Sequence, residues 1–363
     1  MQTLFLVPGL ALLALCFYDA LQTTMGRGGG PLTNAASRVT VWAVHTPVGK
    51  RVGGAIFDQL GLLVLLTVFA MWTLLLWAGW TLIFLASDGS VVSASTGAPA
   101  DVWSRVYFVG YCLFTMGLGD YQPAGSSWQM ATAWVAMSGL FVLSLAISYM
   151  LSVLQAAVQR RATAAWLWGL GNTAEDVIRT MWSPGRDCSA LDQHLISLAP
   201  SLTLLAQQHI AYPVLHQFHG DKRREAMAPS LAALDEALSI IEHGFNGECV
   251  SPGALRPVRS AIAAVLDRLD DQSVESADEA PPPPPLDGLR RDGYDLVSDA
   301  EFARALDEDE CNERRRLMLG LVESEGWDWS DVVGDSSGDD SADDSRPSNG
   351  AAREPVREPA EAS

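Results

Sequence analysis

Apolar and polar positions divide the chain in two. The first part alternates long apolar runs with short polar loops, and the second repeats apolar residues at helical spacing. Residues 60–86 and 128–158 carry no charge. A bilayer core takes about 20 apolar helical residues, so both predict membrane spans. Their excess length predicts tilt, or extension of the later helix beyond the membrane. A shorter apolar run over about residues 3–18, with Pro8 and Gly9 inside it, predicts a further span within residues 1–21. Residues 100–114 lie between the two strong spans and are rich in aromatics: Trp103, Tyr107, Phe108, Tyr111 and Phe114. That segment is too short to cross and reads as a re-entrant helix, tolerated at membrane depth where protein surrounds it. The small, polar residues 87–99 before it predict an exposed turret. Trp80 and Trp128 suit the interfacial aromatic belt, while Trp72 and Trp77 fit a belt or ordinary packing equally well.

After Arg161 the pattern changes. Leu191, Leu195, Leu198, Leu202 and Leu205 recur at helical spacing, as do Leu231, Leu234, Leu238 and Ile241, and then Val258, Ile262, Val265 and Leu269. Gaps fall at Pro184, Pro213, Pro229 and Pro252, so amphipathic helices are predicted within a helical domain over residues 159–270. The stripes suit the core of that domain, and the leucine run also suits a short coiled-coil seam. Five consecutive prolines at 281–285 open a stiff acidic linker over 271–329, with short helices after it and basic Arg314, Arg315 and Arg316 inside it. Residues 330–363 are rich in Ser, Asp, Gly, Pro and Glu and predict disorder.

Charge sharpens this division. The net charge is −19, and residues 271–363 hold 26 acids against 9 basic residues, leaving −2 for the first 270. An acidic chain of this kind lacks the basic footprint that nucleic-acid binding needs. Arg27, Arg38, Lys50 and Arg51 lie in the 22–59 loop, only Arg105 lies in the loop between the strong spans, and Arg160 and Arg161 follow the last span. Positive residues stay inside, which places the 22–59 loop and the C-terminal part in the cytoplasm and the loop around residue 115 outside. No Lys or Arg precedes Arg27, so the first run reads as a retained helix in preference to a cleaved signal. Cys16, Cys112, Cys188, Cys249 and Cys311 are scattered without a C-x-x-C pair, and read as thiols outside any disulfide framework or zinc site.

The most specific chemistry lies at Thr115, Met116, Gly117, Leu118, Gly119 and Asp120, a T-x-G-x-G-D string at the end of the re-entrant helix. A dehydrated cation needs oxygens in place of its water, and a row of backbone carbonyls aimed at one axis supplies them. Carbonyls align in this way when alternate residues take positive backbone angles, which glycine permits cheaply. The negative end of the helix dipole before the string also favours cations. One chain supplies one such loop, and a closed ring needs about four, so a homotetramer follows.

Residues 60–159 resemble the pore module of the potassium channel superfamily: outer helix, pore helix, filter, inner helix. The string with Tyr121 and Pro123 is particularly similar to the second pore loop of two-pore-domain potassium channels. The layout resembles prokaryotic channels with one pore loop per chain. The resemblance implies that Thr115, Met116, Gly117 and Leu118 offer carbonyls in successive rings, with the Thr115 hydroxyl completing the innermost site. It implies that Asp120 braces the filter mouth from behind and that a gating hinge lies near Gly139, a position that close helix packing explains equally well. The permeating ion would be potassium, with sodium as the alternative. Common filters carry Val or Ile at the position of Met116 and Tyr or Phe at Leu118. Phe114 stands where a second Thr is frequent, and Tyr111 where a buried acid sometimes sits. These departures leave the carbonyl ladder and weaken its bracing.

Other motifs do not complete a site. Gly169 and Gly171 form a lone G-x-G without a preceding strand, and Asn172 with Thr173 reads as a helix start. No strand–helix alternation announces a nucleotide-sensing domain. His209, His216 and His219 lack further ligands for a metal and read as surface histidines. Asp339, Asp340, Asp343 and Asp344 do not form a calcium loop. No nucleophile elbow, zinc-protease helix or P-loop marks an enzyme, and no cofactor is implied. No span carries the Arg or Lys series of a voltage sensor. The expectation is an all-α membrane protein, a tetrameric cation channel modulated by a cytosolic helical domain. The alternatives are a weakly selective channel and a non-conducting membrane sensor or scaffold.

Overall fold

A computed structural model describes residues 2–26, 28–45, 60–185, 189–212, 214–215, 222–247, 249–270 and 276–333. Helices dominate, as expected of an all-α membrane protein. Two units divide the chain: residues 1–158 with 207–218, and residues 159–206 with 219–363.

In the first unit, α1 (Gln2–Met25) is followed by α2 (Pro31–His45), which lies in the stretch expected as a loop. Next come α3 (Leu60–Leu85), β1 (Val91–Ser93), α4 (Val102–Leu113) and β2 (Tyr121–Pro123). The last long helix, α5 (Ser126–Leu170), begins here and continues into the second unit. Helices α1, α3 and α5 are long and apolar enough to cross a membrane. At 1.5 Å per residue the 45 residues of α5 span about 68 Å, twice a hydrocarbon core of about 30 Å. The predicted extension beyond the bilayer is therefore large.

Helix α1 packs along α3 where small residues meet. A Cβ on Gly9 would lie 2.8 Å from the Gly79 carbonyl oxygen, and one on Gly79 would lie 2.9 Å from Leu13 Cδ2. Without a hydrophobic drive inside lipid, such close backbone approach is what dispersion contact between spans requires. Trp72, Phe84 and Phe108 are buried in this core. Asp19 is also fully buried on α1. Its carboxylate accepts from the Leu32 amide at 2.7 Å, the Thr33 amide at 3.2 Å, Thr33 Oγ1 at 2.6 Å and Trp72 Nε1 at 2.9 Å. It thus satisfies the open amides of the first turn of α2 and ties them to α3.

The second unit contains α6 (Ala174–Met181), most of α7 (Ser189–Ala211), α8 (Met227–His243) and α9 (Pro252–Asp270). These are followed by α10 (Asp287–Arg291), α11 (Asp299–Leu306), α12 (Asp309–Ser324) and α13 (Ser330–Val333). Thr173 caps α6, its side chain accepting from the Asp176 amide, so the residues after Gly171 do start a helix. Helix α8 is buried on all sides from Met227 to Ile241 and contacts α6, α11, α12 and α13. The described leucine, isoleucine and valine stripes of α7, α8 and α9 are buried within this unit, which makes them core. Asp235 and Glu236 are buried with them: Asp235 meets Arg259 Nη1 at 2.5 Å and Arg314 Nε at 3.1 Å, and Glu236 meets Arg315 Nε at 2.7 Å.

The proline run is docked and does not hang free. Pro281 and Pro284 are buried while Pro282, Pro283 and Pro285 are exposed, the three-residue period of an extended polyproline helix lying on a surface. Arg315 Nη2 donates to the Pro282 carbonyl at 2.9 Å, and Arg316 Nε to that of Ala277 at 2.7 Å. The basic cluster of α12 therefore holds the segment expected as a linker. His209 is buried, unlike the surface residue expected, and His216 and His219 lie outside the described residues. The acidic tail beyond Val333 and the loop over 46–59 lie outside them as well. Cys16, Cys112, Cys249 and Cys311 form no disulfide.

Candidate ion-conducting site

The site is built from the end of α4 outward. Asp101 caps that helix, accepting from the Ser104 amide at 2.7 Å, and hydrogen bonds from Ser104 hold its carboxyl below the usual range. At the other end the chain turns back on the helix. The amides of Phe114, Thr115 and Met116 donate to the carbonyls of Gly110, Cys112 and Tyr111 at 3.1, 3.0 and 2.8 Å. The start of the string is thus pinned by its N–H groups.

Beyond that point the backbone alternates. Thr115, Gly117 and Gly119 have φ of 56°, 59° and 84°, every second residue in the left-handed region. Two are glycines, as the spacing predicts. Thr115 is β-branched, and among the described residues no other non-glycine has positive φ. An L-residue is disfavoured there by about 1–2 kcal/mol, and the flanking amide bonds hold it. Among the described residues, no carbonyl of residues 115–119 accepts a hydrogen bond. Residues 114–120 are all exposed on the single chain. A row of free acceptors on an unusual backbone is the arrangement that can replace a hydration shell.

The string is braced from α4 and the turret. Tyr111 donates its hydroxyl to the Tyr121 carbonyl at 2.6 Å, Ser104 Oγ donates to Tyr121 Oη at 2.8 Å, and Tyr107 donates to Asp120 Oδ2 at 3.2 Å. Tyr107 and Tyr111 pack edge to face with centroids 5.2 Å apart. The exit strand β2 pairs antiparallel with β1, Ser93 opposite Tyr121, and the Ala94 amide donates to the Asp120 carbonyl at 2.9 Å. Arg105 is buried, with Nε on the Ala100 carbonyl at 3.0 Å and Nη2 on that of Asp88 at 2.9 Å. Trp77 of α3 donates to the Val106 carbonyl at 2.9 Å, fixing α4 against the outer helix.

The sequence marks Tyr111 as one of the aromatics of α4, at a position where an acid sometimes sits, and Arg105 as a charge; neither announces a bracing bond. The usable signal was the i, i+4 spacing of Trp103, Tyr107 and Tyr111, which sets them on one face of α4. Gly139 on α5 faces the end of α4: an added Cβ would overlap the Leu113 carbonyl oxygen and lie 3.0 Å from Leu113 Cδ1. Beside it, a small cavity of about 90 Å³ is lined by Phe69, Thr73, Phe114, Thr115, Gly139 and Leu143. Among the described residues, no three His, Cys, Asp or Glu side chains gather as a metal site.

A glycine-alternated loop returning from a short helix between two spans defines the pore module of an ion channel. Residues 62–156 match the family described as "Ion channel". Over 332 residues the chain is 31% identical to a Bacillus subtilis (strain 168) protein printed as "Uncharacterized membrane protein YdjJ", covering 90% of this chain and 95% of that one. The chain belongs to that family of membrane proteins, with an ion-channel module of the potassium-channel type at residues 62–156. No solved structure matches.

Proposed function

We propose that four copies of this chain form a potassium-conducting pore, the carbonyls of Thr115, Met116, Gly117, Leu118 and Gly119 standing in for the ion's water. The observation that carries this reading is the left-handed backbone at Thr115, Gly117 and Gly119 beside carbonyls left without donors. Passage is passive, down the electrochemical gradient. Four-fold assembly is supported by what a single chain leaves open. Met116 and Leu118 are 60% and 47% exposed, and Leu140, Ile147, Leu151, Leu154 and Val158 form an exposed stripe on α5 at three- and four-residue steps or their sum. Neighbouring inner helices would cover that stripe, and neighbouring loops would close the ring.

The filter mouth faces outside and the helical unit lies in the cytoplasm, on the distribution of Arg and Lys around the spans. Because α5 runs on into the helical unit, a change in that unit reaches the inner helix through one continuous element. The helical unit therefore modulates opening.

A weakly selective pore is the second reading, favoured by Met116 and Leu118, which stand where common filters carry a branched aliphatic residue and an aromatic one and are largely exposed in the chain. Purified tetramers in vesicles separate the readings. Potassium flux well above sodium flux, abolished by Gly117→Ala, supports potassium conduction. Comparable fluxes of both ions, equally abolished, support weak selectivity. Intact tetramers that pass neither ion would leave the chain as a sensor or scaffold.

A further inference from the structure

We propose that Cys311 is a modification site in the helical unit, a thiolate set between His243 and Arg314 that exchanges with small, low-molecular-weight disulfides. Its sulfur lies 3.7 Å from His243 Nε2, and 3.9 and 3.8 Å from Arg314 Nη1 and Nη2. An imidazole from α8 and a guanidinium from α12 thus converge on one sulfur. Cys311 is also the third residue of α12, inside the turn where helix amides point outward and favour negative charge. His243 is the last residue of α8, where the opposite end of the dipole favours a cation.

The surrounding charges do not cancel this. Glu308, Asp309, Glu310 and Glu313 lie along the start of α12 and oppose a thiolate. On α8, Asp235 is engaged by Arg259 and Arg314, and Glu242 by Arg259. The balance lowers the Cys311 thiol from its ordinary value, chiefly through the His243 bond, and raises the imidazole of His243, chiefly through the same bond. Cys311 keeps 8% of its surface open, too little for a folded protein partner, so any reagent that reaches the sulfur must be small.

The step balances without an added oxidant. The Cys311 thiolate attacks one sulfur of the disulfide, a new S–S bond forms, and the old one breaks. The departing thiolate takes a proton from the His243 imidazolium. Excess thiol reverses the exchange. The attached group would occupy the space beside Arg314, whose guanidinium also holds Asp235 at 3.1 Å and Ser239 at 3.1 Å. Modification therefore loosens the contact between α12 and the central helix α8.

The test uses the full-length protein in detergent with hydroxyethyl disulfide, following each cysteine peptide by mass spectrometry from pH 5 to 9. Cys311 is expected to react at least about ten-fold faster than the half-buried Cys249 at pH 6.5, with the gap narrowing toward pH 9 as ordinary thiols ionise. His243→Asn is expected to remove that advantage at pH 6.5 while leaving the rate at pH 9 nearly unchanged. Should His243→Asn not fold, Arg314→Lys gives the second reading, with a smaller loss of the same sign. Cys311 reacting no faster than Cys249, or a rate–pH profile that neither variant moves, would overturn the proposal.

Discussion

Arg160, on the part of α5 beyond its apolar stretch, forms a buried ion pair with Glu325, 165 residues further along the chain. Glu325 Oε2 also receives the Ala228 amide at 3.4 Å, so one carboxylate joins the end of the inner helix to the first turn of α8. Removing one member of a buried pair costs about 3–5 kcal/mol. Glu325→Ala is therefore expected to speed hydrogen exchange across α8 peptides. The apolar double variant Arg160→Met with Glu325→Leu is expected to restore protection in part, since apolar side chains of similar size take the place of two buried charges. Equal exchange in the wild type and Glu325→Ala would show that the pair carries no such load.

Tyr111 fills the bracing role that Leu118 cannot. Its hydroxyl reaches the Tyr121 carbonyl, the first residue after the string and Asp120. Tyr111→Phe keeps the ring contacts with Phe108 and Tyr107 and removes only that bond, at about 0.5–1.5 kcal/mol. We expect a stable tetramer with a potassium-to-sodium flux ratio lowered several-fold. The same change at Tyr107, whose partner is the exposed Asp120, is expected to act more weakly. Unaltered flux ratios in both variants would assign the bracing elsewhere.

What could be read in advance depended on whether partners were local. The left-handed backbone at Gly117 and Gly119 was legible because glycine spacing states a backbone requirement directly, whereas that at the β-branched Thr115 was not. The stripe from Leu191 to Leu205 was legible because periodicity alone marks a buried face. Helix α8 was only half legible. Its leucines announce a stripe, but Asp235 and Glu236 are buried too, held by arginines 24 and 79 residues away that no local pattern pairs with them. The docking of the prolines left no signal for the same reason, since composition gives stiffness and says nothing of the carbonyls that Arg315 and Arg316 hold. Asp19 left no signal at all: its donors come from the next helix and from Trp72, and a lone acid ending an apolar run reads as an interfacial residue.

Asp19 is expected to be the least replaceable side chain of the N-terminal helix. Four donors converge on its carboxylate, and it is fully buried. Asp19→Ala would strand two amides, a hydroxyl and an indole N–H, each unsatisfied group costing about 1–3 kcal/mol. Asp19→Asn can accept through one oxygen only, and its amide nitrogen would face donors. Faster amide exchange at Leu32 and Thr33 in Asp19→Asn, and failure of α1 and α2 to protect one another in Asp19→Ala, are the expected results. Undiminished protection at Leu32 and Thr33 would count against the capping role.

Gly139 offers a choice between contact and hinge. A methyl group there would meet the carbonyl of Leu113, which is backbone and has no rotamer to move, so the two helices must separate. Overpacking of this kind costs about 1–3 kcal/mol per chain, and in the proposed tetramer it recurs in each of the four chains. Gly139→Ala is therefore expected to lower the temperature at which tetramers dissociate in detergent, and to lower flux in proportion to the tetramer lost. A hinge predicts otherwise. Flux would change through the open fraction while the dissociation temperature stayed put, because a straight helix tolerates alanine. The two measurements made on one preparation decide which role Gly139 plays.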